Sequence, residues 1–379
     1  WESLDGNPSS QHQGGQQARC WLEEARDAIL KSLGADSKDR MLFTSGGTES
    51  NHLALLGFVG DRPSHILVSA IEHPSLLGAA TLLRAHGHQV DFIPVNNRGL
   101  VEPESVRRLL TPATRLVSVM LANNETGVLQ PVRELAQICR QHGVLVHTDA
   151  VQAVGKIPVE FRDLGVDGLT CTPHKFHGPV GIGGLVLRQG VELHPLMRGG
   201  FQQFGLRPGT EPVALAVGFR VALEASQEKS RVGFATSSAE EEHASLQTLR
   251  DRFERALSSQ IPVVIHGQGA ARVPQTSCLS FPDCDRQRLL LALDMDGISA
   301  STGSACASGS SEPSPVLVAM GIPPDQVQAA LRFSFGRQNT SSQVDEAVRR
   351  ILLAYKRLLA AESSRNPLVA PRQSAAKIV

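Results

Sequence analysis

Aromatic side chains are scarce in this chain: one Tyr, two Trp and 13 Phe make up 4% of 379 residues. So few flat rings leave little for stacking on nucleic-acid bases. A surplus of one charge is also lacking, because 37 basic and 37 acidic side chains cancel. That removes the electrostatic footprint of a nucleic-acid binder or of a protein drawn to an anionic membrane. No uncharged apolar run approaches the ~20 residues of a membrane span. The six cysteines, Cys20, Cys139, Cys171, Cys278, Cys284 and Cys306, form no Cys-x-x-Cys pair. Their scatter fits neither a disulfide scaffold nor a zinc site, and no metal is expected. Neither the Walker pattern nor Gly-x-Gly-x-x-Gly occurs at the first glycine turn, which argues against an NTPase or a dinucleotide enzyme.

What is present supports a large globular protein. Hydrophobic residues make up 41%, enough for a substantial core, and the length implies two lobes. The expected division is a large domain over 16–228 and a smaller one built from 1–15 and 229–379, with a loose tail from about residue 363. The chain opens at Trp1 in a polar segment, so an upstream portion is expected. The thiol pattern suggests a reducing compartment, the cytoplasm first, with an organelle left open by that start.

A helical stripe of Ala18, Leu22, Ala25, Ile29 and Leu33 precedes Gly34. Strand-like runs then recur at Met41–Thr44, Ile66–Val68, Val90–Ile93, Leu116–Met120, Val144–Val146, Val166–Thr170 and Gly184–Leu187. Helical patterns lie between several of them, which predicts an α/β fold with a largely parallel sheet. In such sheets ligands gather beyond the carboxyl ends of the strands. Those ends carry Ser45-Gly46-Gly47-Thr48-Glu49-Ser50, Glu72-His73, Asn123-Asn124-Glu125, His147-Thr148-Asp149 and Thr170–Gly178. The glycine turn before a helix start is in principle an anion cradle. Taken singly, each residue has a plainer reading: Asp149 as a helix cap, Asn124 as a turn former, His73 as a surface imidazole. Five strand ends offering such groups together point to a site.

Two further residues carry chemistry. Lys175 sits between His174 and His177 at the end of a buried run, where a Schiff-base amine is the sharp reading and a surface lysine the plain one. Cys306 lies in Ser301–Ser311, a segment of otherwise small, non-thiol residues that buries little and is expected to be mobile and to expose its thiol. Arg332, in an alternating strand pattern, has a fork suited to a carboxylate. In the second lobe, helices are expected around Leu246–Leu257 and Val344–Leu359, the latter with Ser342 and Asp345 as an N-terminal cap.

Across nearly its whole length the chain resembles the cysteine desulfurase family of pyridoxal-phosphate (PLP) enzymes, the aminotransferase class V form of fold type I. The resemblance rests on Gly6–Ser10, Thr44–Asn51, Glu72-His73, Asn123–Gly127, His147–Gln152, His174-Lys175, Gly303–Cys306 and Arg332–Arg337. It implies a large domain with a mainly parallel sheet, a smaller α+β domain, and PLP held by Lys175. It implies that Asp149 pairs with the pyridinium nitrogen, that His73 covers the ring, and that Gln152 meets the ring oxygen. Thr48, Thr172, His174 and the N–H groups around Gly47 would hold the phosphate, and Thr210 the phosphate of a neighbouring subunit, so a homodimer is implied. Asn124 and Arg332 would bind the substrate carboxylate. Lys175 would move protons at the substrate Cα, and Cys306 would take sulfur from L-cysteine as a persulfide, releasing alanine. A sulfur-acceptor protein, for iron–sulfur cluster or other thio-cofactor synthesis, would follow. Selenocysteine lyase, another class V enzyme such as an aminotransferase, and a catalytically impaired scaffold subunit are the alternatives. The family normally has a strand and an Ala-Thr-Thr loop upstream of Gly6–Ser10, where only five residues stand here, and serine is commoner at Thr172.

Overall fold

The computed structural model describes residues 6–228, 239–303 and 312–365. The expectations for Cys306 and for the tail past 365 therefore lie outside the described residues. Seven strands form the main sheet: β1 (Arg40–Thr44), β2 (His65–Ser69), β3 (Gln89–Ile93), β4 (Thr114–Ser118), β5 (Leu145–Asp149), β6 (Gly168–Cys171) and β7 (Gly183–Leu187). Their spatial order is β1-β7-β6-β5-β4-β2-β3. The β3-β2-β4-β5-β6 run is parallel, and β7 alone is reversed, pairing antiparallel with both β6 and β1. The fold is thus the mainly parallel α/β arrangement that the sequence predicted, and alternation along a strand explains its two covered faces. Met41 and Phe43 pack into one core with the helices Gln13–Ser32 and Val213–Glu228. Leu42, between them, packs into the other with the helices Gly47–Val59 and Pro74–Ala85. Period-two strands buried on both faces read as continuous apolar runs for this reason.

The predicted strand Leu116–Met120 ends early. The backbone N–H of Met120 leaves the ladder and donates to Glu72 Oε1 at 2.6 Å, so a side chain from the end of β2 interrupts the strand.

The second sheet is antiparallel, with β8 (Val264–Ile265), β9 (Thr276–Ser280) and β10 (Ala330–Ser334) in the order β10-β9-β8. The helices Ala239–Ser258, Arg286–Met295 and Ser341–Arg365 supply its core with Phe253, Leu289 and Ile351, against Phe281 and Phe333. The Phe253 and Phe333 ring centroids lie 5.0 Å apart and tilted, a favourable aromatic geometry. Arg272 is tied twice to Glu254 at 2.8 Å, both side chains buried.

The last helix is capped two residues earlier than expected. Thr340 and Gln343 exchange bonds, Gln343 N–H to Thr340 Oγ1 and Thr340 N–H to Gln343 Oε1, a reciprocal capping box. Asp345 instead pairs with Arg252 on a neighbouring helix. Among the described residues, no helix is long and apolar enough to cross a membrane.

The two sheets meet where the site forms. Val273 N–H donates to Gly127 O at 2.8 Å, and Leu129 N–H to Ala271 O. Arg332 on β10 reaches across to donate to the carbonyl of Asn124 at 2.8 Å.

Candidate active site at the carboxyl edge of the sheet

Because β1, β2, β4, β5 and β6 run in one direction, their carboxyl ends open on the same edge. A cavity of about 450 Å³ lies there, between the main sheet and the end of β10, a size suited to a small-molecule ligand. Ten of the sequence candidates line it: Gly47, Thr48, His73, Asn124, Asp149, Gln152, Thr172, His174, Lys175 and Arg332. Thr210 does not. It is exposed on the surface, close to Gly209, whose N–H meets Gln202 Oε1.

Lys175 sits in a short 3-10 turn, Pro173–Phe176, directly after β6. The turn ends at His177, whose φ of 68° is left-handed. Lys175 is exposed to the cavity rather than buried, so the apolar strand delivers the amine to the rim without enclosing it. Phe176, its neighbour, is buried and anchors the turn.

Asp149 closes β5 and is 4% exposed. Oδ1 accepts from Val151 N–H at 2.9 Å, and Oδ2 accepts from Asn51 Nδ2 at 2.8 Å. Burial pushes its carboxyl upward, while these two bonds and the charges of His73 and Lys175 oppose the shift. A buried carboxylate facing a cavity with this deficit fits a cationic partner there.

Asn51 donates to two acceptors, Asp149 and Ser75 Oγ. Ser75 therefore has its hydroxyl proton free for His73 Nδ1 at 2.8 Å. The Ser75 N–H donates to the same nitrogen, since His73 caps the helix Pro74–Ala85. Nδ1 is thus an acceptor, and neutral His73 carries its proton on Nε2. Burial, then Lys175, lowers its pKa, so the neutral form dominates near neutrality; Asp149 pulls the other way.

The anion cradle has the predicted form. Gly46 caps the helix Gly47–Val59 with no side-chain bond to the first turn, which leaves that turn's N–H groups facing the cavity. Opposite, the Thr172 hydroxyl donates to Ile182 O at 2.9 Å and so accepts from His174 Nδ1 at 2.9 Å. On the far side, Asn124 Oδ1 is buried without a partner, beside the Arg332 guanidinium that its own carbonyl holds.

These features test the fit of PLP directly. An open helix N-terminus suits its phosphate, a buried carboxylate its ring nitrogen, and an exposed amine its carbonyl. The residues present fit the group.

Four participants carried no assigned role in the sequence reading. Asn51 and Glu72 stand inside recognised motifs, but nothing in a linear string links Asn51 to Asp149. Glu72 is fully buried, and Oε1 accepts from Ser69 Oγ at 2.7 Å and from Met120 N–H. Burial, with Asp149 nearby, raises its pKa to about 8. Lys156 follows Gln152 at a spacing of four, a helical-turn signal that was available. Gln275 lies in the cavity wall with both amide atoms buried and unpartnered. Conversely, His147, which the sequence put at a strand end, is buried between Ser118 Oγ and Thr170 Oγ1. Burial takes its pKa down to about 3, so it is a neutral structural imidazole.

The carboxyl edge of the mainly parallel sheet thus gathers an amine, a buried carboxylate and a neutral imidazole. Residues 1–347 match the aminotransferase class-V family model, and the chain belongs to that family. Its relatives there are cysteine desulfurases. Cysteine desulfurase IscS of Dictyoglomus turgidum is 40% identical over 344 residues, 90% of this chain and 85% of that one. Cysteine desulfurase NifS of Azotobacter vinelandii is 39% identical over 349 residues, 91% of this chain and 85% of that one. A solved NifS-like protein superposes with a TM-score of 0.83 at 34% identity, covering 92% of each chain.

Proposed function

We propose that this protein is a PLP-dependent cysteine desulfurase that converts L-cysteine to L-alanine and leaves its sulfur as a persulfide on Cys306. The observation that carries the reading is the Asp149–Asn51–Ser75–His73 chain facing Lys175 across one cavity. The family relatives named as cysteine desulfurases support it.

When bound, PLP supplies an electron-accepting ring that lowers the barrier to breaking bonds at the Cα of an amino acid. Lys175 holds the cofactor and then takes and returns the proton at the substrate Cα. Asp149 keeps a proton on the ring nitrogen, and Asn51 fixes the orientation of that carboxylate. His73 covers the ring in its neutral form, and Gln152 meets the ring oxygen. Gly47, Thr48, Thr172 and His174 hold the phosphate. Arg332 and Asn124 bind the substrate carboxylate, the guanidinium and the Asn124 Nδ2 amide N–H donating to it. Cys306, as thiolate, attacks the substrate sulfur. An S–S bond forms, the Cβ–S bond breaks with its pair passing to carbon, and carbon takes up a proton.

A homodimer completes the reading. Thr210 is exposed, and Phe201, Phe204 and Val180 are 96%, 58% and 75% exposed, an apolar display that suits a second copy whose phosphate Thr210 reaches. A sulfur-acceptor protein then takes the persulfide for iron–sulfur cluster or other thio-cofactor synthesis, in the cytoplasm.

The test uses three proteins. Wild type loaded with PLP shows a visible band near roughly 400 nm, which Lys175→Ala loses. Cys306→Ala keeps the band but stops forming alanine from cysteine. Undiminished turnover in Cys306→Ala refutes the persulfide route, and faster turnover of selenocysteine than cysteine reassigns the substrate.

A further inference from the structure

Resting on the PLP reading above, we propose that Lys156 is a positioning residue that forces Gln152 to present its amide N–H to the cofactor's ring oxygen. The argument is one of donors and acceptors. Lys156 Nζ lies 2.5 Å from Gln152 Oε1, and both residues line the cavity. An ammonium has three donors and no acceptor. The atom it touches must therefore be the amide oxygen, and the Gln152 NH₂ must point elsewhere. A glutamine without such a neighbour can rotate its amide by half a turn and offer either end. Here one end is taken, so Gln152 enters the site as a donor. A donor there matches a ring oxygen carrying negative charge and mismatches a protonated one.

Lys156 belongs to a cationic group. Lys175, Arg332 and His174 face it, the first two lowering its pKa and His174 having its own lowered by Lys156 in turn. Burial is the largest cause, and together they bring Lys156 to about 7. In the absence of an anion the amine is close to losing its proton, and a neutral amine has a lone pair that can accept from either amide orientation. An anionic cofactor in the cavity favours the charged form. Cofactor binding and the fixing of Gln152 are thereby linked: each favours the ammonium that enforces the other.

The experiment is a substitution series read by cofactor affinity and by spectrum. Apoprotein is titrated with PLP by fluorescence, and the loaded protein's visible band is titrated with pH. Lys156→Met is expected to weaken PLP binding by about tenfold, the order expected for loss of one partly buried, charge-assisted hydrogen bond. It should also move the band's pH midpoint upward, because a donor that stabilised negative charge on the ring oxygen is no longer oriented. Lys156→Arg, which also has donors and no acceptor, should restore both. Lys156→Gln, which can accept as well as donate, should not. In a Gln152→Ala background, Lys156→Met should add little. Unchanged affinity and midpoint in Lys156→Met overturn the proposal, as does an effect undiminished without Gln152. A wild type with no band at all instead refutes the PLP reading on which the proposal rests.

Discussion

Glu72 offers a stability test that needs no substrate. Its carboxyl is fully buried, and its pKa rises from 4.5 to about 8 because burial disfavours the charged form and Asp149 lies near. Between those values the folded chain holds a proton on Glu72 that the unfolded chain has released. Unfolding therefore loses a proton, and stability falls as pH climbs from about 4.5 towards about 8. The displacement of roughly 3.5 units corresponds to about 5 kcal/mol across the whole window at ~1.4 kcal/mol per unit. In Glu72→Gln the amide oxygen can still accept from Ser69 Oγ and Met120 N–H, while the ionisation is gone. The expected result is a variant near wild-type stability or slightly below it at pH ~5, and more stable by several kcal/mol at pH ~8.5. The assay is urea unfolding of both proteins at those two pH values, comparing midpoints. A stability difference that stays flat across the window refutes the reasoning. So does a variant that is equally destabilised at both ends.

Two further substitutions test neighbouring parts of the site. Asn51→Ala removes the donor shared by Asp149 Oδ2 and Ser75 Oγ, and should cost about 1–3 kcal/mol by denaturant unfolding and weaken PLP binding; full retention of both would show that Val151 N–H alone orients the carboxylate. Gly155 has a φ of +74°, and a Cβ there would lie 2.5 Å from Phe176 Cγ. Gly155→Ala should therefore destabilise by about 2–4 kcal/mol and displace the turn that carries Lys175, seen as a lowered melting temperature together with reduced PLP affinity.

Much of the site was legible because it lies at strand ends. Apolar runs mark the strands, and the residue types that follow them are those that cannot stay in a core. That is why Asp149, His73, Asn124 and Lys175 stood out from the string. Residues that act on these groups from the side were not legible in the same way. Asn51 faces Asp149 only because the helix Gly47–Val59 packs beside β5, and Glu72 ends β4 only because β2 is its neighbour in the sheet. Strand order is a property of packing, and periodicity is blind to it. The reversed direction of β7 was hidden for the same reason, since Gly183–Leu187 reads as any buried strand.

The sequence by itself determined the α/β alternation, the glycine turn before a helix, the lysine after β6 and the set of groups at the sheet's carboxyl edge, all of which follow from local period, turn chemistry and residue type. Tertiary structure alone decided the protonation and orientation of those groups. Whether His73 carries its proton on Nε2, whether Glu72 is neutral, and which end of Gln152 faces the cavity depend on burial and on partners far away in the chain. Those are through-space quantities, set by distances and dielectric surroundings that exist only once the strands have packed side by side.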